Sequence, residues 1–220
     1  MSQTFVIGDI HGCSDMLYEL LAKIRPIARD DTVIFMGDYI DRGTDSRGVI
    51  DIVLKLRAEH QRVITLMGNH EFMLLGAVKG YGHQEFLNMG GDATLKSYDI
   101  APGSLNDLAA KLPRNHLAFL QDLLPYWEDE DHIYVHAGLQ PGVHLTQQSP
   151  DWLFWSREEF IDSIYNYGKK VIYGHTPHEK PKVDDNKIGI DTGAVYGGAL
   201  TCLVLPENKF ISVETQKNNI

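Results

Sequence analysis

Three things are scarce in this sequence. The first is cysteine: Cys13 and Cys202 are the two in 220 residues. They are too few and too unpatterned for a disulfide framework or a structural zinc site, so both are expected as small hydrophobes. The second is basic charge, since 20 Lys and Arg against 30 Asp and Glu leave a formal net charge of -10. No basic face is expected for nucleic acid or for an anionic membrane. The third is long apolar runs. Nothing approaches a membrane span, and the N-terminus lacks a basic stretch followed by an apolar one. The chain shows no internal repeat and no low-complexity tract. The expectation is a cytoplasmic monomer, folded as one domain over residues 1–220.

Short apolar runs are plentiful instead, and each stops at a polar cluster. Thr4–Ile7 reads as a strand ending at Gly8-Asp9-Ile10-His11-Gly12. Ser14 is a good helix cap, with Leu17, Leu20, Leu21 and Ile24 at helical spacing behind it. Thr32–Met36 is the next strand and ends at Gly37-Asp38-Tyr39-Ile40-Asp41-Arg42-Gly43. Asp45 or Ser46 can cap a second helix, with Val49, Ile50, Val53, Leu54 and Leu56 on its apolar side. Val63–Met67 then ends at Gly68-Asn69-His70-Glu71. Strand, helix, strand, helix, strand is the pattern of a parallel sheet covered by helices.

Residues from Phe72 to about Gln121 carry no strong strand. They read as a helical insertion punctuated by Gly80, Gly82, Gly90-Gly91 and Pro102-Gly103. His132–Val135 resumes the strands and ends at His136-Ala137-Gly138. A helix-like segment from Pro150 to about Tyr167 follows. Val171–Tyr173 ends at Gly174-His175. Ile188–Ile190, Ala199–Leu205 and Phe210–Val213 form a β-rich C-terminal layer, and Gln216 to Ile220 read as a frayed end.

Five strand ends thus carry Asp9/His11, Asp38/Asp41/Arg42, Asn69/His70, His136 and His175. In parallel α/β sheets the carboxyl ends of the strands share one edge, where ligands bind. Any one histidine after a strand reads as a structural residue; five clusters at the same place on five strands do not. Carboxylate, imidazole and amide oxygen, with no thiolate, suit Mn, Fe or Zn rather than a closed structural zinc. Two ions about 3.5–4 Å apart need a bridging carboxylate, and Asp38 is the best placed. An acidic protein can still take a phosphorylated substrate, because bound ions reverse the local field.

Taken in order, these motifs resemble the signature series of the PPP family of metal-dependent serine/threonine protein phosphatases, in its bacterial and phage (lambda-type) branch. Ile190-Asp191-Thr192-Gly193-Ala194-Val195-Tyr196-Gly197-Gly198 also resembles the bacterial form. The resemblance implies a calcineurin-like metallophosphoesterase fold, an α/β architecture with a central β-sandwich flanked by helices. It implies that Asp9, His11 and Asp38 hold one divalent ion and that Asp38, Asn69, His136 and His175 hold a second. It implies His70 as general acid, Asp41 as its carboxylate partner, Arg42 as a phosphate ligand and manganese as the activating metal.

The expected reaction is hydrolysis of phosphoserine and phosphothreonine in proteins or peptides, by direct attack of an ion-activated hydroxide. A symmetrical dinucleoside tetraphosphate hydrolase is the alternative. The intact Asp41-Arg42-Gly43 and the Glu71 ending of Asn69-His70-Glu71 resemble the protein-phosphatase pattern better. A nuclease is disfavoured by the acidic balance, and a non-catalytic module by the full set of ligands. Arg157, on spacing alone, reads as a helix arginine paired with a nearby glutamate; the resemblance makes it a second phosphate-facing arginine. Tyr196 reads either as a border of the substrate groove or as a packed tyrosine in a turn. Glu71 reads as a supporting residue, and His83, His116, His132, His144 and His178 as surface or core.

Overall fold

The computed structural model describes residues 2–101 and 108–215. The first part contains β1 (Thr4–Ile7), α1 (Ser14–Ile24), β2 (Thr32–Phe35), α2 (Ser46–Glu59) and β3 (Val63–Thr65). Helices follow: α3 (Asn69–Val78), α4 (His83–Phe86), α5 (Asp92–Ser97), α6 (Leu108–Lys111) and α7 (Arg114–Gln121). A wide helical turn, Leu87–Gly91, joins α4 to α5. Then come β4 (Tyr126–Glu128), β5 (His132–Val135), α8 (Pro150–Trp155) and α9 (Glu158–Ile161). The chain continues with β6 (Lys170–Tyr173), β7 (Lys182–Val183), β8 (Lys187–Gly189), β9 (Ala199–Leu205) and β10 (Lys209–Glu214).

The strands form two five-stranded sheets, in the orders β10-β9-β1-β2-β3 and β4-β5-β6-β8-β7. Both have a parallel centre. β1, β2 and β3 run parallel in the first, and β5, β6 and β8 in the second. The strand series divides between two sheets rather than sharing one edge, which is the central β-sandwich that the family resemblance implied. Alternation along each strand shows why they stack. Phe5, Ile7, Val33 and Phe35 face the helices of the first sheet, while Val6 and Ile34 face the second sheet. Ile133, Val135, Val171 and Tyr173 face α8 and α9, while Tyr134 and Ile172 face the first sheet. A strand apolar on both faces needs a layer on each side. Large-to-small changes in that inner layer cost about 2–5 kcal/mol.

Several local expectations shift. Ser14 is the first residue of α1, and Cys13 holds the cap position without a side-chain cap bond. Cys13 is only partly buried, whereas Cys202 is fully so. Asp45 does cap α2, accepting from the Gly48 N–H at 2.9 Å. The helical insertion begins at Asn69 rather than Phe72, and the 150–167 segment is two short helices ending at Ile161. β4 and β7 lie at sheet edges where no strand was expected. Pro102-Gly103 and Gln216 to Ile220 lie outside the described residues. Among the described residues, no helix is long and apolar enough to cross a membrane.

Candidate metal centre

Both sheets deliver their parallel strand ends to one place. The Ile10 and His11 N–H groups donate to the Asp38 carbonyl at 3.0 and 2.8 Å, tying the loops after β1 and β2 together. The Gly174 N–H donates to the His136 carbonyl at 2.8 Å, tying the loops after β6 and β5. The two sheets meet where the His136 Nδ1–H donates to the Met36 carbonyl at 2.9 Å. Glycine is required at two of these approaches. A Cβ on Gly68 would strike the Asp38 carboxylate, and one on Gly174 would strike that of Asp9.

The loops are strained as well as crowded. Seven non-glycine residues among those described have positive φ, and five of them are His11, Asp38, Asp41, Arg42 and His175. Such backbone persists only where its surroundings over-determine it, and it collects at functional sites. Glu71 supplies much of the determination. Its buried carboxylate accepts from the N–H groups of Asp38 (2.9 Å), Tyr39 (2.8 Å), Ile40 (3.3 Å) and Gly68 (3.0 Å). Burial and the Asp38 charge push Glu71 up to about 8, against the pull of those N–H groups. Its role is to clamp two loops.

Two clusters share Asp38. His11, Asp38 and His70 offer ligand atoms within 4.8 Å of one another, and so do Asp38, His136 and His175. His11 Nε2 lies 3.3 Å from Asp38 Oδ2, and His136 Nε2 lies 3.5 Å from Asp38 Oδ1. Asn69 Oδ1 is 3.1 Å from His136 Nε2, which brings it to the second cluster as expected. Both histidines commit Nδ1 to a carbonyl, His11 to Ile40 at 2.8 Å and His136 to Met36, so each Nε2 keeps its lone pair for the centre. Asp9 lies at the edge of these groups. Its Oδ2 accepts the His175 N–H at 2.9 Å, and His70 rather than Asp9 completes the compact group with His11 and Asp38.

These residues fit divalent ions. Asp9 Oδ1 and His175 Nε2 are buried without a hydrogen-bond partner, a costly arrangement that cation ligation would relieve; His70 Nε2 is likewise buried and unpartnered. The electrostatics agree. Burial opposes the Asp38 charge, but His136, His70 and His11 hold its carboxyl well below the usual range. Burial, then Asp191 and Asp38, push Asp9 well up. Burial lowers His136, and burial with its His136 neighbour takes His175 down to about 2, so both present lone pairs. His11 is also opposed by burial, but Asp38 raises it overall. A cavity of about 520 Å³ beside Leu139, His144 and Tyr167 lies apart from this cluster. Donor chemistry, not volume, marks the centre.

Beside the ligand groups sits a second layer of chemistry. His70 and Asp41 are fully buried and joined by a 2.7 Å bond between Nδ1 and Oδ2. The other Asp41 oxygen accepts from Thr94 Oγ1 at 2.6 Å, while Thr94 and Ser46 accept the Asp41 N–H at 2.9 and 3.1 Å. Burial raises Asp41, against His70 and Thr94. Arg42 Nη1 donates to His11 Nε2 at 2.7 Å, and its guanidinium lies 5.5 Å from the centre of the Tyr196 ring. Arg157 is half-buried and makes no ion pair with Glu158 or Glu159, which corrects that reading. Its charge acts on His175. His116 is a core residue, bonded to Tyr98 and Asp51. Tyr196 is exposed, not packed.

Sequence reasoning gave no role to Asp191 and Thr94, and read Ser46 only as a candidate helix cap. Asp191 is buried, accepts the Gly193 N–H at 2.9 Å, and lies within electrostatic reach of Asp9, His11, Asp38 and Arg42. Its signal was available, since it follows Ile188-Gly189-Ile190 as Asp9 follows Ile7-Gly8. Thr94 carried no signal, being one threonine in a short helix.

The comparisons with known proteins agree with this construction. The family model for calcineurin-like phosphoesterases matches residues 3–196. An asymmetrical bis(5'-nucleosyl)-tetraphosphatase PrpE of Oceanobacillus iheyensis is 28% identical over 237 residues, covering 96% of this chain and 92% of the relative. The serine/threonine-protein phosphatase 1 of Salmonella typhimurium is 31% identical, covering 90% of this chain and 89% of its own. A solved structure provisionally described as a diadenosine tetraphosphatase superposes with a TM-score of 0.75 at 24% identity, covering 98% and 95% of the two chains. At that identity it speaks for the fold. Matched across nearly its whole length, with the family's strand ends gathered into one buried centre, the chain belongs to the calcineurin-like phosphoesterases.

Proposed function

We propose that this phosphoesterase hydrolyses dinucleoside tetraphosphates, with water attacking one phosphorus of the chain and a nucleotide leaving. The observation that carries the hydrolytic reading is the shared Asp38, set between two imidazole clusters and beside the buried His70–Asp41 pair. The substrate rests on the tetraphosphatase relative, which aligns across 96% of this chain. That relative's name reads asymmetrical, so unequal products, a nucleoside triphosphate and a monophosphate, replace the symmetrical cleavage first considered. Glu71 no longer argues for a protein substrate, because its carboxylate is occupied by backbone N–H groups.

Asp9, His11 and Asp38 would hold one divalent ion, and Asp38, Asn69, His136 and His175 a second. Such ions lower the pKa of the attacking water and offset charge on the phosphoryl oxygens. The protein's own groups do the rest. Arg42 presents a planar guanidinium to phosphate oxygens. In the structure it donates to His11 Nε2, a lone pair that a bound ion would take instead, leaving the guanidinium available to phosphate. Arg157, uncommitted to any carboxylate, adds a second cation on the His175 side. Asp41 fixes the His70 ring through Nδ1, leaving Nε2 to deliver a proton to the leaving oxygen.

A second reading, phosphoserine and phosphothreonine hydrolysis, is favoured by two observations. The Salmonella protein phosphatase is 31% identical, and the His70–Asp41 pair suits an alkoxide leaving group that must be protonated. The test is side-by-side turnover of diadenosine tetraphosphate and a phosphoserine peptide, using metal-stripped enzyme reloaded with Mn, Fe or Zn. The proposal expects at least ten-fold higher kcat/KM on the dinucleotide, greatest with manganese. A preference for the peptide establishes the second reading instead.

A further inference from the structure

The dinucleotide reading leaves the bases without a binding surface, and Tyr196 supplies one. Tyr196 is 62% exposed, so its aromatic surface is largely open to solvent. The turn that carries it is firmly built. Gly193 (φ 69°) and Gly197 (φ 86°) take left-handed backbone on either side of the Ala194–Tyr196 turn. The Gly193 carbonyl accepts from the N–H groups of Tyr196 and Gly198, both at 2.9 Å. Thr215 Oγ1 lies within hydrogen-bonding reach of the Ala194 and Gly198 carbonyls, at 3.2 and 3.0 Å. Asp191 Oδ1 accepts the Gly193 N–H, which ties the start of the turn to a buried carboxylate within electrostatic reach of Asp38.

The Arg42 guanidinium sits 5.5 Å from the centre of this ring. With a cation on one side and most of its area open, the ring offers a free aromatic face beside the arginine assigned to phosphate. Resting on the dinucleotide reading, we propose that Tyr196 is the base-stacking platform of the substrate site: a nucleobase lies on its open side while Arg42 holds the attached phosphates. Base–aromatic stacking tolerates any base, and a cation next to the ring adds to its attraction.

The test compares wild type, Tyr196→Phe and Tyr196→Ala, each loaded with manganese. Calorimetry measures Kd for ATP and for inorganic tripolyphosphate, which share a triphosphate and differ by the nucleoside. Steady-state kinetics on diadenosine tetraphosphate run in parallel. The expected result for Tyr196→Ala is about a ten-fold weaker Kd for ATP, the low end of measured stacking effects, with tripolyphosphate shifted less than two-fold. KM for the dinucleotide should rise by a similar factor, and Tyr196→Phe should track wild type. Equal weakening of ATP and tripolyphosphate overturns the proposal, because the ring would then serve only to steady Arg42. No change in either overturns it as well. If wild type cleaves no dinucleotide yet binds ATP and tripolyphosphate alike, both the stacking and the dinucleotide reading fail. If it cleaves none while Tyr196→Ala still loses ATP selectively, stacking stands and only the substrate reading falls.

Discussion

The strand ends and the helical segment from Asn69 to Gln121 build this centre by different means. The strand ends contribute Asp9, Asp38, His136 and His175 from loops of a few residues, locked by backbone bonds across two sheets. Among its described residues, the helical segment brings Asn69 and His70 to the centre from its first turn. It holds what the strand ends present. Thr94 fixes Asp41, and the Gly90 carbonyl accepts the Arg42 N–H at 3.1 Å. Gly90 has φ 100°, and a Cβ there would meet Arg42 Cγ at 2.9 Å. On the proposed reading, one region binds ions, and the other orients the proton donor's partner and the phosphate-facing arginine. Damage to each should leave a different signature: lost ions in the first case, slowed turnover with ions retained in the second.

Asp38 gives the largest effect, because both clusters share it. Asp38→Asn should reduce bound metal from two equivalents to less than one by elemental analysis, and should lower kcat by more than about a thousand-fold. Retention of two ions would remove Asp38 from the bridging position. His70→Asn comes next and tests the boundary between the regions. As a proton donor, its loss should cost about 10²–10⁴-fold on a phosphoserine peptide, with metal content unchanged. The loss on a dinucleotide should be smaller, since a phosphate leaving group needs less help. His70 also groups geometrically with His11 and Asp38. If metal falls in step with activity, His70 belongs with the ligands and the division drawn here moves.

The same division governs what could be read in the sequence. Each strand end is a contiguous motif, and an acid or imidazole directly after an apolar run is visible without coordinates. Asp9, His11, Asp38, Asn69, His136 and His175 were legible for that reason. The strand pattern by itself did not divide the strands between two sheets, because a buried parallel strand has the same composition in either; the family resemblance supplied the β-sandwich. β4 was missed because Trp127 and Glu128 are exposed, leaving no apolar alternation to see. Asp191 obeys the same rule after the Ile188–Ile190 run, but that run reads as part of the β-rich C-terminal layer and not as one of the parallel series. Thr94 and Ser46 were beyond reach. Their effect depends on a contact between residues 41 and 94 that no local pattern encodes.

Thr94 therefore offers the smallest but most discriminating change. Thr94→Val keeps the shape, removes the hydroxyl that donates to Asp41 Oδ1, and deprives the Asp41 N–H of one of its two acceptors. Bound metal should stay at two equivalents, and kcat should fall about ten-fold, at a stability cost of about 1–3 kcal/mol. The pH profile gives the sign. Asp41 is already raised by burial, and the Thr94 bond works against that by favouring the anion. Losing the bond raises Asp41 further, so the carboxylate that fixes His70 is neutralised at a higher pH on acidification. The acid limb of kcat should move upward, and Thr94→Ser, which restores the hydroxyl, should return it. A fall in kcat with an unmoved limb, or no rescue by serine, would make Thr94 a packing residue and leave His70 and Asp41 independent of the helical segment.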